Sequence, residues 1–234
     1  MPCLGERVYP EHMDLRNRRS PNERLVVLAG LGVASALCLA LELLREHRYG
    51  AYDFRFLIWN LILAWIPLLL ALLVYDRYRR GRSLLVLAPA LLLWLLFLPN
   101  APYILTDFKH LVPCPVVPLW VDIVVIAAPA WTGMLLGFLS LYLVQAVVRS
   151  LAGARVAWVT AVAVLGLASF GVYLGRVLRW NSWDVLTHPR LLSDLDVVFV
   201  DPRAIGMTVL LSSFLTLSYL VLYAFMRLEG VEER

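Results

Sequence analysis

Phe56-Leu57-Ile58-Trp59-Asn60-Leu61-Ile62-Leu63-Ala64-Trp65-Ile66-Pro67-Leu68-Leu69-Leu70-Ala71-Leu72-Leu73-Val74-Tyr75 is a run of residues without a single formal charge. A helix rises about 1.5 Å per residue, so about 20 apolar residues span a hydrocarbon core of about 30 Å. A helix of that length on a soluble domain would show a polar face to water, and this one has none. It reads as a transmembrane helix.

Further apolar runs lie on both sides of it, and the candidate spans are 25–44, 56–75, 84–98, 119–147, 156–178 and 204–226. Hydrophobic residues make up 61% of the 234, far above the roughly 45–50% of soluble domains. The sequence therefore predicts an all-α fold, a polytopic membrane helical bundle of about six transmembrane helices. The remaining segments are too short for a soluble domain of ordinary size. The expected organisation is a basic cytoplasmic N-terminal segment (1–24), one membrane domain (25–228) and a short cytoplasmic tail (229–234). The first run is longer than a signal-peptide core and follows Arg16, Arg18, Arg19 and Arg24, so it reads as an anchor that is retained. Cys3, Cys38 and Cys114 have neither the even count nor the clustering of a disulfide framework.

Basic residues in short flanks stay on the cytoplasmic side during insertion. With six spans, the N-terminus, the loop Arg77 to Arg82, the turn holding Arg149 and Arg155, and the tail share one side and carry thirteen Lys and Arg. The opposite side carries eight: Arg45, Arg48, Arg55, Lys109, Arg176, Arg179, Arg190 and Arg203. Both termini are expected in the cytoplasm, and the connections 99–118 and 176–203 on the external face. Arginines near anionic lipid also anchor a membrane protein, at about 1 kcal/mol each. A net charge of +4 gives no indication of nucleic-acid binding.

The first external connection opens with Leu98-Pro99-Asn100-Ala101-Pro102-Tyr103. Two prolines stop the third span from continuing as one helix, and Asn100 is a suitable N-cap for a short helix over 101–112, interfacial or re-entrant. In such a helix Tyr103, Thr106, Asp107 and His110 share a face, opposite Ile104, Leu105, Phe108 and Leu111. Polar groups converging at membrane depth are costly and mark function. The same residues also serve as helix caps, an aromatic belt and an interfacial histidine.

The second connection begins Arg176-Val177-Leu178-Arg179-Trp180-Asn181-Ser182-Trp183-Asp184. Arg176 and Arg179 lie one turn apart, and two guanidinium forks there suit a carboxylate or phosphate. Asn181 and Asp184 have the spacing of a helix cap. Snorkelling arginines beside interfacial tryptophans account for the same composition. Asn60 and Asp122 lie near the external ends of their spans. Asp122 is expected to face the bundle and to pair with Arg176 or Arg179. Gly133-x-x-x-Gly137 and Gly171-x-x-x-Gly175 permit close helix approach.

Trp59-Asn60 through Ile66-Pro67, Leu98-Pro99-Asn100-Ala101-Pro102-Tyr103, Thr106-Asp107, Trp120-x-Asp122 and Arg179-Trp180-Asn181-Ser182-Trp183-Asp184 together resemble the DUF1361 family of bacterial membrane proteins, over about residues 55–205. The resemblance implies a multi-spanning protein of the bacterial inner membrane and brings no activity or cofactor with it.

Three functions fit the residues. The first is a non-catalytic membrane subunit that binds lipid, a membrane-protein partner or an anionic, lipid-linked ligand through Asn60, Asn100, Tyr103, Thr106, Asp122, Arg176, Arg179, Trp180, Asn181, Trp183 and Asp184. The second is a hydrolase or transferase for a phosphate-containing or lipid-linked substrate, with Asp107 and His110 as acid and base. A divalent metal on Asp107, His110, Asp184 and His188 is a variant of it. The third is a small-solute transporter using the broken helix and Asp122, although no internal repeat is visible.

Overall fold

A computed structural model describes residues 21–50, 54–112, 115–182, 184 and 201–228. Most of these residues are helical, with no strand among them. The elements are α1 (Pro21–Tyr49), α2 (Arg55–Arg79), α3 (Leu84–Phe97), the one-turn α4 (Asn100–Tyr103) continued by a 3₁₀ turn (Ile104–His110), α5 (Leu119–Tyr173) ending in a π turn (Leu174–Leu178), and α6 (Pro202–Leu228). Five helices among the described residues are long and apolar enough to cross a membrane, in keeping with a polytopic bundle. The sequence segments 1–20 and 229–234 lie outside the described residues.

The helix α5 accounts for the difference between five long helices and six spans. Gly153 inside it has φ 84° and ψ 173°, a backbone state open to glycine and not to a helical residue. The chain folds back there. Gly137 and Gly171 are 34 positions apart, which is about 51 Å along a straight helix. Yet a methyl group on Gly137 would come 2.8 Å from Ala101 Cβ, and one on Gly171 would come 2.5 Å from Pro99 Cγ, so both glycines flank the same four-residue α4 segment. The two arms of α5 therefore run antiparallel and match the predicted spans 119–147 and 156–178.

Polar contacts define the two ends of the bundle. At one end Arg24 donates to Asp76 at 2.8 Å, Ser150 to Tyr78 at 3.0 Å and Arg149 to Tyr223 at 2.8 Å. The other, which carries α4, holds the polar clusters described below. Between them the core is mainly apolar, with buried hydrogen bonds from Trp94 to Ser140 and from Tyr219 to Gln145 inside it. Ala64 and Leu68 of α2 are fully buried with Ile126, Ala130 and Leu136 of α5, Ala71 is buried with Met134 and Phe138, and Tyr219 of α6 packs on Phe138. Asp201 starts α6 as its cap: its carboxylate accepts the Arg203 N–H at 2.9 Å, and Pro202 occupies the first helical position, where a missing N–H is no loss. The Tyr173 hydroxyl donates to the same carboxylate at 2.7 Å, which ties α6 to the end of α5. That phenol, and the Arg203 N–H after it, hold the Asp201 carboxyl below the usual carboxylate range.

Candidate functional site

The site starts from a problem of backbone bookkeeping. Pro99 and Pro102 have no N–H to give, and the Ala101 N–H goes to Leu98 O at 3.1 Å, so the Phe97 carbonyl lacks its helical donor. Asn100 supplies one: its Nδ2 donates to Phe97 O at 2.9 Å and to Ser182 Oγ at 3.0 Å. Asn100 is thus not the N-cap that the sequence suggests. It sits inside α4, makes no cap bond, and instead closes the end of α3.

The turn that follows tightens to 3₁₀ geometry, and its polar face points into the protein. Asp107 is 1% exposed. Its Oδ2 accepts Asn60 Nδ2 at 2.9 Å, and its Oδ1 takes Arg176 Nη2. Arg176 also donates from Nε to Thr106 Oγ1 at 2.6 Å and lies over the Tyr103 ring at 4.1 Å. The Thr106 hydroxyl in turn donates to Tyr103 O at 2.7 Å. His110 Nδ1 stands 3.9 Å from Asp107 Oδ1, with its ring against Phe56. Arg176 lies in the π turn, where the wider spiral ends in a left-handed Arg179 (φ 59°) that is itself exposed. The two arginines therefore do not form a paired fork; one is committed inside and one faces out.

Asp122 faces the bundle as expected, but its partner differs. Arg45 Nε of α1 donates to Asp122 Oδ1 at 2.7 Å, with both side chains at most 3% exposed, and the Arg45 guanidinium lies 4.0 Å over the Phe54 ring. Neighbouring Glu42 accepts the Phe54 N–H at 2.9 Å. Asp122 thus belongs to a second cluster between α1 and α5, not to the Arg176 network.

Beyond Arg179, the Asp184 carboxylate reaches back to the Asn181 N–H at 2.7 Å and to Asn181 Nδ2 at 3.0 Å, the reciprocal half of a capping box. Trp183 and His188 lie outside the described residues. Among the described residues no three of His, Cys, Asp and Glu gather as metal ligands.

These elements enclose a cavity of about 370 Å³, within the range of small-molecule sites. Its walls are apolar: Leu63 of α2, Leu92, Leu95 and Leu96 of α3, and Leu167, Phe170 and Leu174 of α5. Its rim is polar and uncharged: Trp59, Asn60, Asn100, Tyr103, Trp180, Asn181 and Ser182. Leu92 and Leu167 are 69% and 55% exposed, so the cavity meets the lipid-facing surface between α3 and the second arm of α5. The sequence pointed to Asn60, Asn100, Tyr103, Trp180 and Asn181. It missed Ser182 and the apolar wall, because a leucine lining a cavity and one facing lipid have the same sequence signal.

A family model, described as a protein of unknown function (DUF1361), matches residues 59–218. The chain belongs to the DUF1361 family. The DUF1361 match contains every residue lining the cavity and both halves of the Asp107–Arg176 pair, while Arg45 on α1 lies before it. No curated protein and no solved structure matched the chain.

Proposed function

We propose that this DUF1361 protein is a non-catalytic binding subunit of the bacterial inner membrane, with both termini in the cytoplasm, that holds a membrane amphiphile at the external face. The observation that carries this reading is the cavity itself: leucine walls open toward lipid beneath a rim of amides, hydroxyls and indoles. Such a gradient suits a hydrocarbon tail continuous with the bilayer and a head group at the interface. Membrane lipids are its natural partners. Orientation follows from the excess of arginine on the opposite side, around Arg77 to Arg82.

Acid–base chemistry has less support. A general base must reach its substrate, whereas Asp107 is buried, held by Asn60 and Arg176, and does not line the cavity. A transporter has less support as well, since no acidic or basic side chain lines the cavity among the described residues.

The test is occupancy. Lipid extracted from the purified protein should contain a species enriched over the bulk membrane, and Leu95→Trp, which places an indole in the cavity, should deplete it. Identical lipid profiles for the two proteins would refute the proposal.

A further inference from the structure

The cavity rim is biased in hydrogen-bond character, and the bias arises from where its three amides direct their nitrogens. Asn60 Nδ2 faces the Asp107 carboxylate at 2.9 Å, Asn100 Nδ2 faces Phe97 O at 2.9 Å and Ser182 Oγ at 3.0 Å, and Asn181 Nδ2 faces the Asp184 carboxylate at 3.0 Å. Carboxylates and carbonyls only accept, so in each amide the nitrogen must be the side turned to them. The three Oδ1 atoms have no partner among the described residues, and those of the half-buried Asn60 and Asn100 are not sealed from solvent. The groups left for a ligand are amide oxygens together with the Tyr103 and Ser182 hydroxyls and the Trp59 and Trp180 indoles.

The charges are already committed. Arg176 is spent on Asp107, Thr106 and the Tyr103 ring, and Asp184 on Asn181. Arg179 and Lys109 are exposed and do not line the cavity. A phosphate head would find indole and hydroxyl donors but no cation to balance its charge, and three amide oxygens that repel it. A primary ammonium would find no free carboxylate, and a quaternary one has no N–H for the amide oxygens and finds the Tyr103 ring already taken by Arg176. A hydroxyl both donates and accepts, and so suits every group on this rim.

We infer that the cavity selects an amphiphile with an uncharged, hydroxyl-rich head, a glycosyl or glyceryl group, whose hydroxyls donate to Asn60, Asn100 and Asn181 while Trp180 packs on its apolar face. The inference rests on the reading of the cavity as an amphiphile site and adds the class of head group.

The experiment uses the full-length protein in phosphatidylcholine nanodiscs and three photoactivatable alkyl probes of equal chain length, with glucoside, phosphate and trimethylammonium heads. Crosslinks are mapped by mass spectrometry. The glucoside should label residues 92–103 and 167–182 at least about fivefold more than either charged probe, the worth of one net hydrogen bond. Tyr103→Phe, which keeps the ring on Gly175 and under Arg176, should narrow that preference without changing trimethylammonium labelling. Equal labelling by all three heads, or a preference for either charged head, would overturn the head-group assignment and leave the amphiphile site standing. Labelling of neither stretch by any probe would overturn both.

Discussion

Arg176 closes on Asp107 across 69 residues of chain, and the two are 10% and 1% exposed at the side chain. The pair joins the π turn after α5 to the 3₁₀ turn after α3, with Asn60 of α2 on the second carboxylate oxygen. Three transmembrane elements therefore meet on one carboxylate.

Breaking that pair from either side strands a buried charge, which costs about 3–5 kcal/mol. Asp107→Asn and Arg176→Gln should each lower the thermal midpoint in detergent sharply, and the double variant should lose less than the sum of the two. Arg176→Lys should fall between, because an ammonium cannot reach Thr106 and Asp107 in the fixed geometry of a guanidinium. If Asp107→Asn were as stable as the wild type, the carboxylate would be available for chemistry and the binding reading would weaken.

The glycines around α4 should respond very differently to the same substitution. Gly171→Ala drives a methyl group into Pro99, and Gly133→Ala drives one to 2.9 Å from the Ala101 carbonyl, overpacking worth about 1–3 kcal/mol each. Gly166→Ala, on the same arm of α5 with nothing within 4 Å, should be neutral or slightly stabilising. Thermal melts of the three variants side by side test the assignment.

Arg45 on α1 lies before the stretch matched by the family, yet it is the cation for Asp122. Arg45→Met should destabilise by about 3–5 kcal/mol, and a second change, Asp122→Leu, should restore most of the loss, because an apolar pair of similar volume replaces a buried ionic one with little penalty. A double variant no more stable than Arg45→Met would show that the neighbouring Glu42 also depends on Arg45.

The Tyr173–Asp201 contact predicts an acid-sensitive start to α6. The Asp201 carboxyl is held below its ordinary value in the fold, so its contribution is present above the ordinary carboxylate pKa and is lost as pH falls through the lower, folded value. Hydrogen exchange of the Arg203 amide should accelerate as the solution is acidified through the range below the ordinary carboxylate pKa. Asp201→Asn still caps the helix but should remove that pH dependence. An unchanged acid response in the variant would place its origin elsewhere.

Composition and periodicity were enough to read the helical class and an approximate number of spans, because a helix that crosses lipid needs a long apolar run to shield its backbone. The inward turn of Asp122 was legible for the same reason. Its partner was not: Arg45 stands in a charged flank, Glu42 to Arg48, where it has the same sequence signal as an anchoring arginine. Asn100 was read as a cap because its type and position fit one, and only the geometry of two prolines shows which carbonyl needed its amide. The cavity was illegible, since the gap between α3 and the second arm of α5 depends on helix separation and not on residue type. The metal reading drew on His188, which lies outside the described residues.

The clamp on α4 also sets an order of events at the ribosome. Asp107 and its turn are made 69 residues before Arg176, a delay on the order of ten seconds at about 5–20 residues per second. For most of that interval the second arm of α5 is not yet made, and until Arg176 follows it the carboxylate must remain in water or borrow a temporary partner. The turn between α3 and α5 cannot take its final place until the fifth span has been delivered. A nascent chain stalled before Gly171 will present the Asn100–His110 segment unprotected, and any factor that assists this protein's insertion has that segment to hold.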